Sequence, residues 1–389
     1  MAADLDSDAV RLCELAVAAE PADPSLHHRL AQAHSRLLEA ANPEAKLAAI
    51  IAAVPHAYTS LLYLARMQEV RGDLPRAVIS YARALRTAYA SGFWLDPDST
   101  PPWLHTAVRH AHDVAHRGAA AMFEDWLRPL RERYGTSELA RVEKCVAMYT
   151  GTTKRVLADP RQQPSFLYFP DLPVTPVFER DALAFAEELE DHAEAIRDEA
   201  LRVVEANAGV QPFHYDVPAA QRGKLTDGAW DAYFFYDEGE RDLAHHAACP
   251  QTSAMLARMP LDHVRDHGPE VCFSVLRPGA KILPHRGITN TRVVFHLGLE
   301  VPDDCALDVI GVQEVHWQRG RCFAFDDTFE HQAWNRSDRT RVVLLGDIWN
   351  PHLREPERVA IAELVALIGD FNREVAPRTR SVRDPTVTR

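Results

Sequence analysis

The sequence predicts an α+β multidomain protein, a helical-repeat half followed by a half built of short strands in a sandwich or barrel. Three observations predict it. Up to about Met148 the chain is rich in Ala, Leu and Arg at helical spacing, and β-branched runs are short. Within that half Ala33, Pro43, Ala45 and Ala52 recur 32 residues later as Ala65, Pro75, Ala77 and Ala84. From Trp230 the pattern changes to short apolar runs, each bounded by Gly, Pro, Asp or Asn, with no helical stretch between them.

Residues 1–150 form the helical part. In LARMQEVRGDLPRAVISYARAL, Gly72 turns the chain and Tyr81 sits on the second helix of a pair. Small residues let paired helices approach, and larger ones fill the gaps between pairs. The repeat resembles a tetratricopeptide repeat, with Tyr89 where that family often has its closing proline. Two units are too few for a solenoid, so further helices at 103–116, 119–134 and 137–149 are expected to cap them. Such a region serves either as a scaffold or as a concave surface that captures a peptide. His105, His110, His112 and His116 cluster here, with His112 and His116 one turn apart. The HExxH pattern is missing, so they read as a solvated polar face rather than a zinc site.

Residues 151–165 mix Gly, Pro and polar groups without periodicity and read as a linker. FLYFPDLPVTPVF suits an extended strand leading into the next domain, and residues 185–207 read as one amphipathic helix with Leu189, Ile196 and Leu201 on its buried stripe. The strands that follow are DAYFFYD, VCFSVL, RVVFHLGL, ALDVI, VHWQ, RCFAF, EHQAW and RTRVVLLGDIW. Residues 356–389 add a C-terminal helix and an arginine-bearing tail (Arg378, Arg380, Arg383, Arg389), expected to be flexible.

Polar groups on these apolar strands carry the chemistry. Alternation puts Arg292, Val294 and His296 on one face, His331, Ala333 and Asn335 on another, and Arg341, Val343 and Leu345 on a third. An arginine beside Val342, Val343, Leu344 and Leu345 is costly inside a barrel without an anionic partner. Its planar fork suits a carboxylate. Asp326 and Asp327 read as turn residues. Trp230, Trp317, Trp334 and Trp349 read as core aromatics.

From about Phe166 to Leu353, a domain taken as 166–355, the chain resembles the aspartyl/asparaginyl beta-hydroxylase family. The resemblance rests on LPHRGITNTR, HLGLEVPDDC, FDDTFEHQAWN and the arginine-led strand into DIWNP. It implies a double-stranded beta-helix, a jelly-roll relative of the cupins, and an iron(II)- and 2-oxoglutarate-dependent dioxygenase that hydroxylates a C–H bond. His285 and His331 match the iron ligands. Gly287 stands where other non-haem oxygenases carry a carboxylate, and this family is known for a two-histidine centre. Arg341 matches the residue pairing with the distal carboxylate of 2-oxoglutarate, Ser274 its helper, and His296 a group near the other carboxylate. Arg292 matches an arginine associated with a substrate or cosubstrate carboxylate. The sequence departs from the family pattern at Val294, where a second arginine is usual, and at Asn350, where a histidine is expected. The implied target is the beta-carbon of an Asp or Asn residue in a peptide presented by the helical region. The alternatives are the same chemistry on a free amino acid, natural-product intermediate or acyl chain, or a non-catalytic repeat scaffold.

Composition narrows the setting. The 389 residues are 47% hydrophobic and 25% charged, enough for two cores. A net charge of -13 argues against nucleic-acid binding. No segment has the length of a membrane span, and MAADLDSDAV does not read as a secretory signal. Six scattered cysteines without CxxC give neither a zinc ribbon nor a disulfide framework, which points to a reducing cytoplasm.

Overall fold

The computed structural model describes residues 5–20, 23–54, 56–213, 226–227 and 229–376. The arginines after Ala376 lie outside them. The chain forms two compact units, one made of residues up to Trp126 with those from Leu367 on, the other of Leu127–Ala366. The division falls before the boundary near 150 that composition suggests.

The first unit begins with α1 (Leu5–Ala19), α2 (Pro24–Glu39), α3 (Pro43–Ala53), α4 (Tyr58–Val70) and α5 (Leu74–Ala90). Asp23 caps α2 by accepting from the Ser25 amide, and Asp73 caps α5 by accepting from Arg76. Gly72, at φ +84°, makes the turn between α4 and α5. Ala65, Ala77 and Ala84 are fully buried between that pair, as the repeat predicts. In the earlier copy Ala33 is buried, whereas Ala45 and Ala52 face solvent, so the two copies use their small residues differently. The expected break near 117 is absent, and α6 (His105–Tyr134) runs through it. Gly118 serves packing instead: a Cβ there would lie 2.1 Å from Val78 Cγ2. α7 (Ala140–Tyr149) already belongs to the second unit.

A polar trio is sealed inside the first unit. Glu14 accepts from the Ser60 amide (2.9 Å), and its carboxyl lies 2.7 Å from the Ser60 hydroxyl. His34 Nε2 lies 3.0 Å from the same hydroxyl, while its Nδ1–H donates to the Leu30 carbonyl at 3.0 Å. Tyr63 stacks on the imidazole. Burial pushes Glu14 up to about 7 and His34 down to about 4.

In the second unit a long helix is replaced by two, α8 (Ala186–Asp191) and α9 (Ala193–Glu205). They part at His192, whose Nδ1–H turns back onto the Glu188 carbonyl. Then come α10 (Leu243–Ala248) and α11 (Pro250–Leu256); α12 (Glu355–Val375), after the strands, begins in this unit and ends in the first. No described helix is long and apolar enough to cross a membrane.

The strands are β1 (Val177–Phe178), β2 (Gln211–Pro212), β3 (Thr226–Asp227), β4 (Trp230–Asp237), β5 (Glu240–Arg241), β6 (Val271–Leu276), β7 (Lys281–His285), β8 (Arg292–Glu300), β9 (Cys305–Val309), β10 (Gln313–Val315), β11 (Cys322–Phe325), β12 (His331–Asn335) and β13 (Arg341–Trp349). Only β1 forms within the proline-broken FLYFPDLPVTPVF stretch, and VHWQ contributes only its first residue to β10. The larger sheet has the order β1-β11-β8-β13-β6-β4-β2, with β5 on β4, and the smaller β10-β9-β12-β7-β3. Strand pairing within both is antiparallel. This is the jelly-roll architecture.

Alternation gives the large sheet two kinds of face. Phe273, Val275, Val293, Phe295, Val342 and Leu344 pack with Leu189, Ile196 and Val203 of α8 and α9. Val294 and Val343 join Leu307, Phe325 and Ala333 in a separate cluster that includes the small sheet. The functional side chains lie on that inner side. The segment read as a linker is tied to it: Gln163 N–H donates to the Thr328 carbonyl and Ser165 N–H to that of Gly287.

Candidate active site

His285 ends β7 and His331 begins β12, and the two are direct cross-strand partners. Their ring centroids are 4.1 Å apart with planes at 53°. Each Nδ1 meets the carbonyl two residues earlier, His285 with Leu283 at 2.8 Å and His331 with Phe329 at 2.9 Å. A carbonyl only accepts, so both Nδ1 atoms carry the proton and both Nε2 atoms keep a lone pair. Burial lowers the pKa of His285; burial and the neighbouring His285 push His331 down to about 3. Two neutral imidazoles oriented by backbone carbonyls form a donor set that fits a divalent transition metal. Among the described residues no group of three or more His, Cys, Asp or Glu side chains forms a metal site.

The missing carboxylate has a steric counterpart. A Cβ on Gly287 would lie 2.1 Å from the Asp327 carboxyl carbon. Gly287 is not among the positive-φ glycines, so occupied space accounts for it, not a left-handed backbone. The two aspartates differ. Asp326 accepts from Thr328 and from the Gln162 amide, as a turn residue does. Asp327 is buried, its Oδ1 has no hydrogen-bond partner, and burial pushes its pKa up to about 8.

Arg341 begins β13 and is 1% exposed, the largest fully buried side chain among the described residues. One terminal nitrogen donates to the Ser274 carbonyl and hydroxyl, both at 3.3 Å, and Nε has no partner. No described Asp or Glu forms an ion pair with it. The guanidinium lies over the Trp317 ring at 4.9 Å, and burial depresses its pKa to about 10. The Trp317 indole N–H donates to His296 Nδ1 at 2.9 Å. The Trp230 indole N–H donates to Ser274 Oγ, also at 2.9 Å. His296 Nε2 is buried without a partner, and burial together with Arg341 holds that imidazole neutral. Arg341, Ser274 and His296 are thus brought together around two indoles.

Arg292 has other company. Its guanidinium pairs with Asp347 at 2.6 Å and lies 3.8 Å from Asp262. Burial raises the pKa of both carboxyls and Arg292 opposes the rise, while Glu270 beside them is pushed up to about 8.

The aspartyl/asparaginyl beta-hydroxylase family model matches residues 190–351. Aspartate beta-hydroxylase domain-containing protein 2 from Rattus norvegicus is 30% identical over 310 residues, 77% of this chain and 85% of that one. The chain belongs to the aspartyl/asparaginyl beta-hydroxylase family. The Mus musculus protein of the same name is 31% identical, over 63% of this chain and 71% of its own length. Ornithine lipid ester-linked acyl 2-hydroxylase from Rhizobium tropici is 34% identical, over 47% of this chain and 63% of its own.

Against the aspartyl/asparaginyl beta-hydroxylase pattern, the two departures have different physical settings. Val294 is 8% exposed and packs in the inner apolar cluster with Phe325 and Val343. Asn350 joins two loops, its amide donating to the Asn290 carbonyl and its oxygen accepting from the His352 amide. Sequence reasoning missed Asp327, Trp230 and Trp317 as neighbours of Gly287, Ser274 and His296. The signal for the tryptophans was their chemistry, an apolar body with one N–H that needs an acceptor when buried. Three of the histidines around 105–116 have protein partners: His110 meets Glu69, His112 the Tyr89 hydroxyl, and His105 the Thr100 carbonyl.

Proposed function

We propose that this hydroxylase-family chain is an iron(II)- and 2-oxoglutarate-dependent dioxygenase, with His285 and His331 holding the metal. Arg341 carries the reading. A guanidinium sealed in the interior with no described acid beside it is costly alone and is balanced by an anionic ligand. Arg341 and Ser274 then bind one carboxylate of 2-oxoglutarate, and His296 donates to the other end. When bound, the metal supplies the redox chemistry by which dioxygen hydroxylates a C–H bond as 2-oxoglutarate becomes succinate and carbon dioxide. The chain's own residues orient the cosubstrate and exclude water, with Phe325, Val294 and Val343 as apolar wall.

The target by family is the beta-carbon of an Asp or Asn residue in a peptide, with the helical unit as its docking surface. A second reading, an acyl chain or other small molecule, is favoured by apolar Val294 and by the pairing of Arg292 with Asp347 and Asp262. It also draws on the Rhizobium relative, whose name specifies acyl hydroxylation.

The test is anaerobic binding of iron(II) and 2-oxoglutarate, then aerobic turnover with matched Asp and Asn peptides and with ester-linked lipids, screened for a one-oxygen mass gain. Succinate formed with a modified peptide supports the first target, and a modified lipid the second. Absence of 2-oxoglutarate binding refutes both.

A further inference from the structure

We propose that Trp317 and Trp230 are positioning residues that fix the hydrogen-bond polarity of the pocket, so that His296, Ser274 and Arg341 all present donors to one ligand. The inference rests on the proposed cosubstrate reading and concerns residues to which that reading gives no role.

An indole N–H donates and cannot accept. Trp317 donates to His296 Nδ1, so Nδ1 must carry the lone pair and Nε2 the hydrogen. Trp230 donates to Ser274 Oγ at 2.9 Å and Arg341 donates to the same oxygen at 3.3 Å. A hydroxyl oxygen has two acceptor positions, and both are used. What remains of Ser274 is its O–H hydrogen.

Arg341 has only donors, and its Nε–H is unpartnered. Each of these three buried side chains therefore keeps hydrogen-bonding capacity to spare, and in every case what is left is a hydrogen. Trp317 acts twice, since the ring that sets the imidazole also lies against the guanidinium at 4.9 Å. A pocket of this kind accepts oxygens that carry no hydrogen. It selects ionised carboxylates and rejects an alcohol or an amide that would bring a hydrogen to the same place.

The distinction between polarity and packing is open to measurement. Trp317→Phe keeps an aromatic ring and removes the N–H, so His296 becomes free to take its other tautomer and turn a lone pair toward the ligand. Nitrogen-15 imidazole spectra of the metal-free protein, with His296→Gln identifying the signal, should show a single Nε2–H form in the wild type. In Trp317→Phe they should show a mixture. By calorimetry on metal-free protein, Trp317→Phe should weaken 2-oxoglutarate about tenfold. The same change in a His296→Gln background should cost little, because the glutamine amide donates whatever its neighbour does.

Equal losses in both backgrounds, or an unaltered His296 tautomer in Trp317→Phe, overturn the proposal. If wild type shows the fixed tautomer and Trp317→Phe releases it, yet neither binds 2-oxoglutarate, the polarity device stands and the cosubstrate reading fails.

Discussion

Each unit of the molecule buries a serine, a histidine and a strongly ionisable group, and the two trios differ in how their hydrogen bonding ends. In the helical unit Glu14, Ser60 and His34 close on one another and on the Leu30 carbonyl. In the β unit Arg341, Ser274 and His296 leave the guanidinium Nε and the imidazole Nε2 unpartnered. A buried polar group with its partners in place holds helices in register. One without them lowers stability until a ligand arrives. A serine and a histidine thus serve a structural joint beside Glu14, and on the proposed reading they serve a binding site beside Arg341.

Arg341→Met should separate the two most widely. Loss of the charge removes the partner of a buried carboxylate, so 2-oxoglutarate binding should weaken by roughly 2–5 kcal/mol. The ligand-free protein should unfold at higher denaturant than wild type, because an unpaired buried guanidinium is replaced by an apolar side chain. Equal binding would end the assignment of the pocket. A fall in stability would mean that the arginine is satisfied within the fold.

Ser60→Ala should do the reverse. It strands Glu14 and His34, and should destabilise the helical unit by about 1–3 kcal/mol while 2-oxoglutarate affinity is unchanged. Hydrogen exchange of the α1, α2 and α4 amides would register the loss.

Proton counting sharpens the contrast further. Folding raises Glu14 from 4.5 to about 7, so Glu14 alone loses stability as pH climbs from 4.5 to about 7. Folding lowers His34 from 6.5 to about 4, so His34 alone loses stability as pH falls from 6.5 to about 4. Between 4.5 and 6.5 the folded trio holds one proton, on Glu14, and the unfolded chain holds one, on His34. The two slopes cancel in the wild type. His34→Gln should expose the falling slope and Glu14→Gln the rising one, each about 1.4 kcal/mol per pH unit. Slopes of the same sign in the two variants would show that the groups do not share a proton in this way.

The smallest difference concerns two glycines, one in each unit. A Cβ on Gly118 meets the terminal methyls of Val78, whereas one on Gly287 meets the Asp327 carboxyl group. A valine can rotate or shift, but Asp327 is buried among other charges. Gly287→Ala should therefore be more destabilising than Gly118→Ala, by about 1 kcal/mol in urea titrations. If the two cost the same, the Asp327 carboxyl is free to move aside.

Part of this was legible in the sequence, because alternation groups Val294 with His296 and Arg341 with Val343, although both faces of the sheet are apolar and only the fold tells which is inner. The strand bearing His285 was harder to see. Lys281–His285 contains a proline and no clear alternation, and it becomes a strand through pairing with β12 and β3. Gly118 looked like a helix break because its purpose lies on another helix. Arg292 illustrates the limit. Its strand face could be read, but Asp262 and Asp347, which engage it, are distant in sequence and reach it only after folding.

The helical unit is also discontinuous along the chain, since it takes its last residues from beyond Leu367. Arg86 on α5 donates to Asn372 on α12 at 3.0 Å. On a ribosome that contact waits until Asn372, 286 residues after Arg86, has been made. The N-terminal helices thus emerge first and acquire this neighbour last. During synthesis this bond therefore adds nothing to the early helices, which rest on their own core of Leu30, Leu47, Leu61 and Leu85 until α12 is complete.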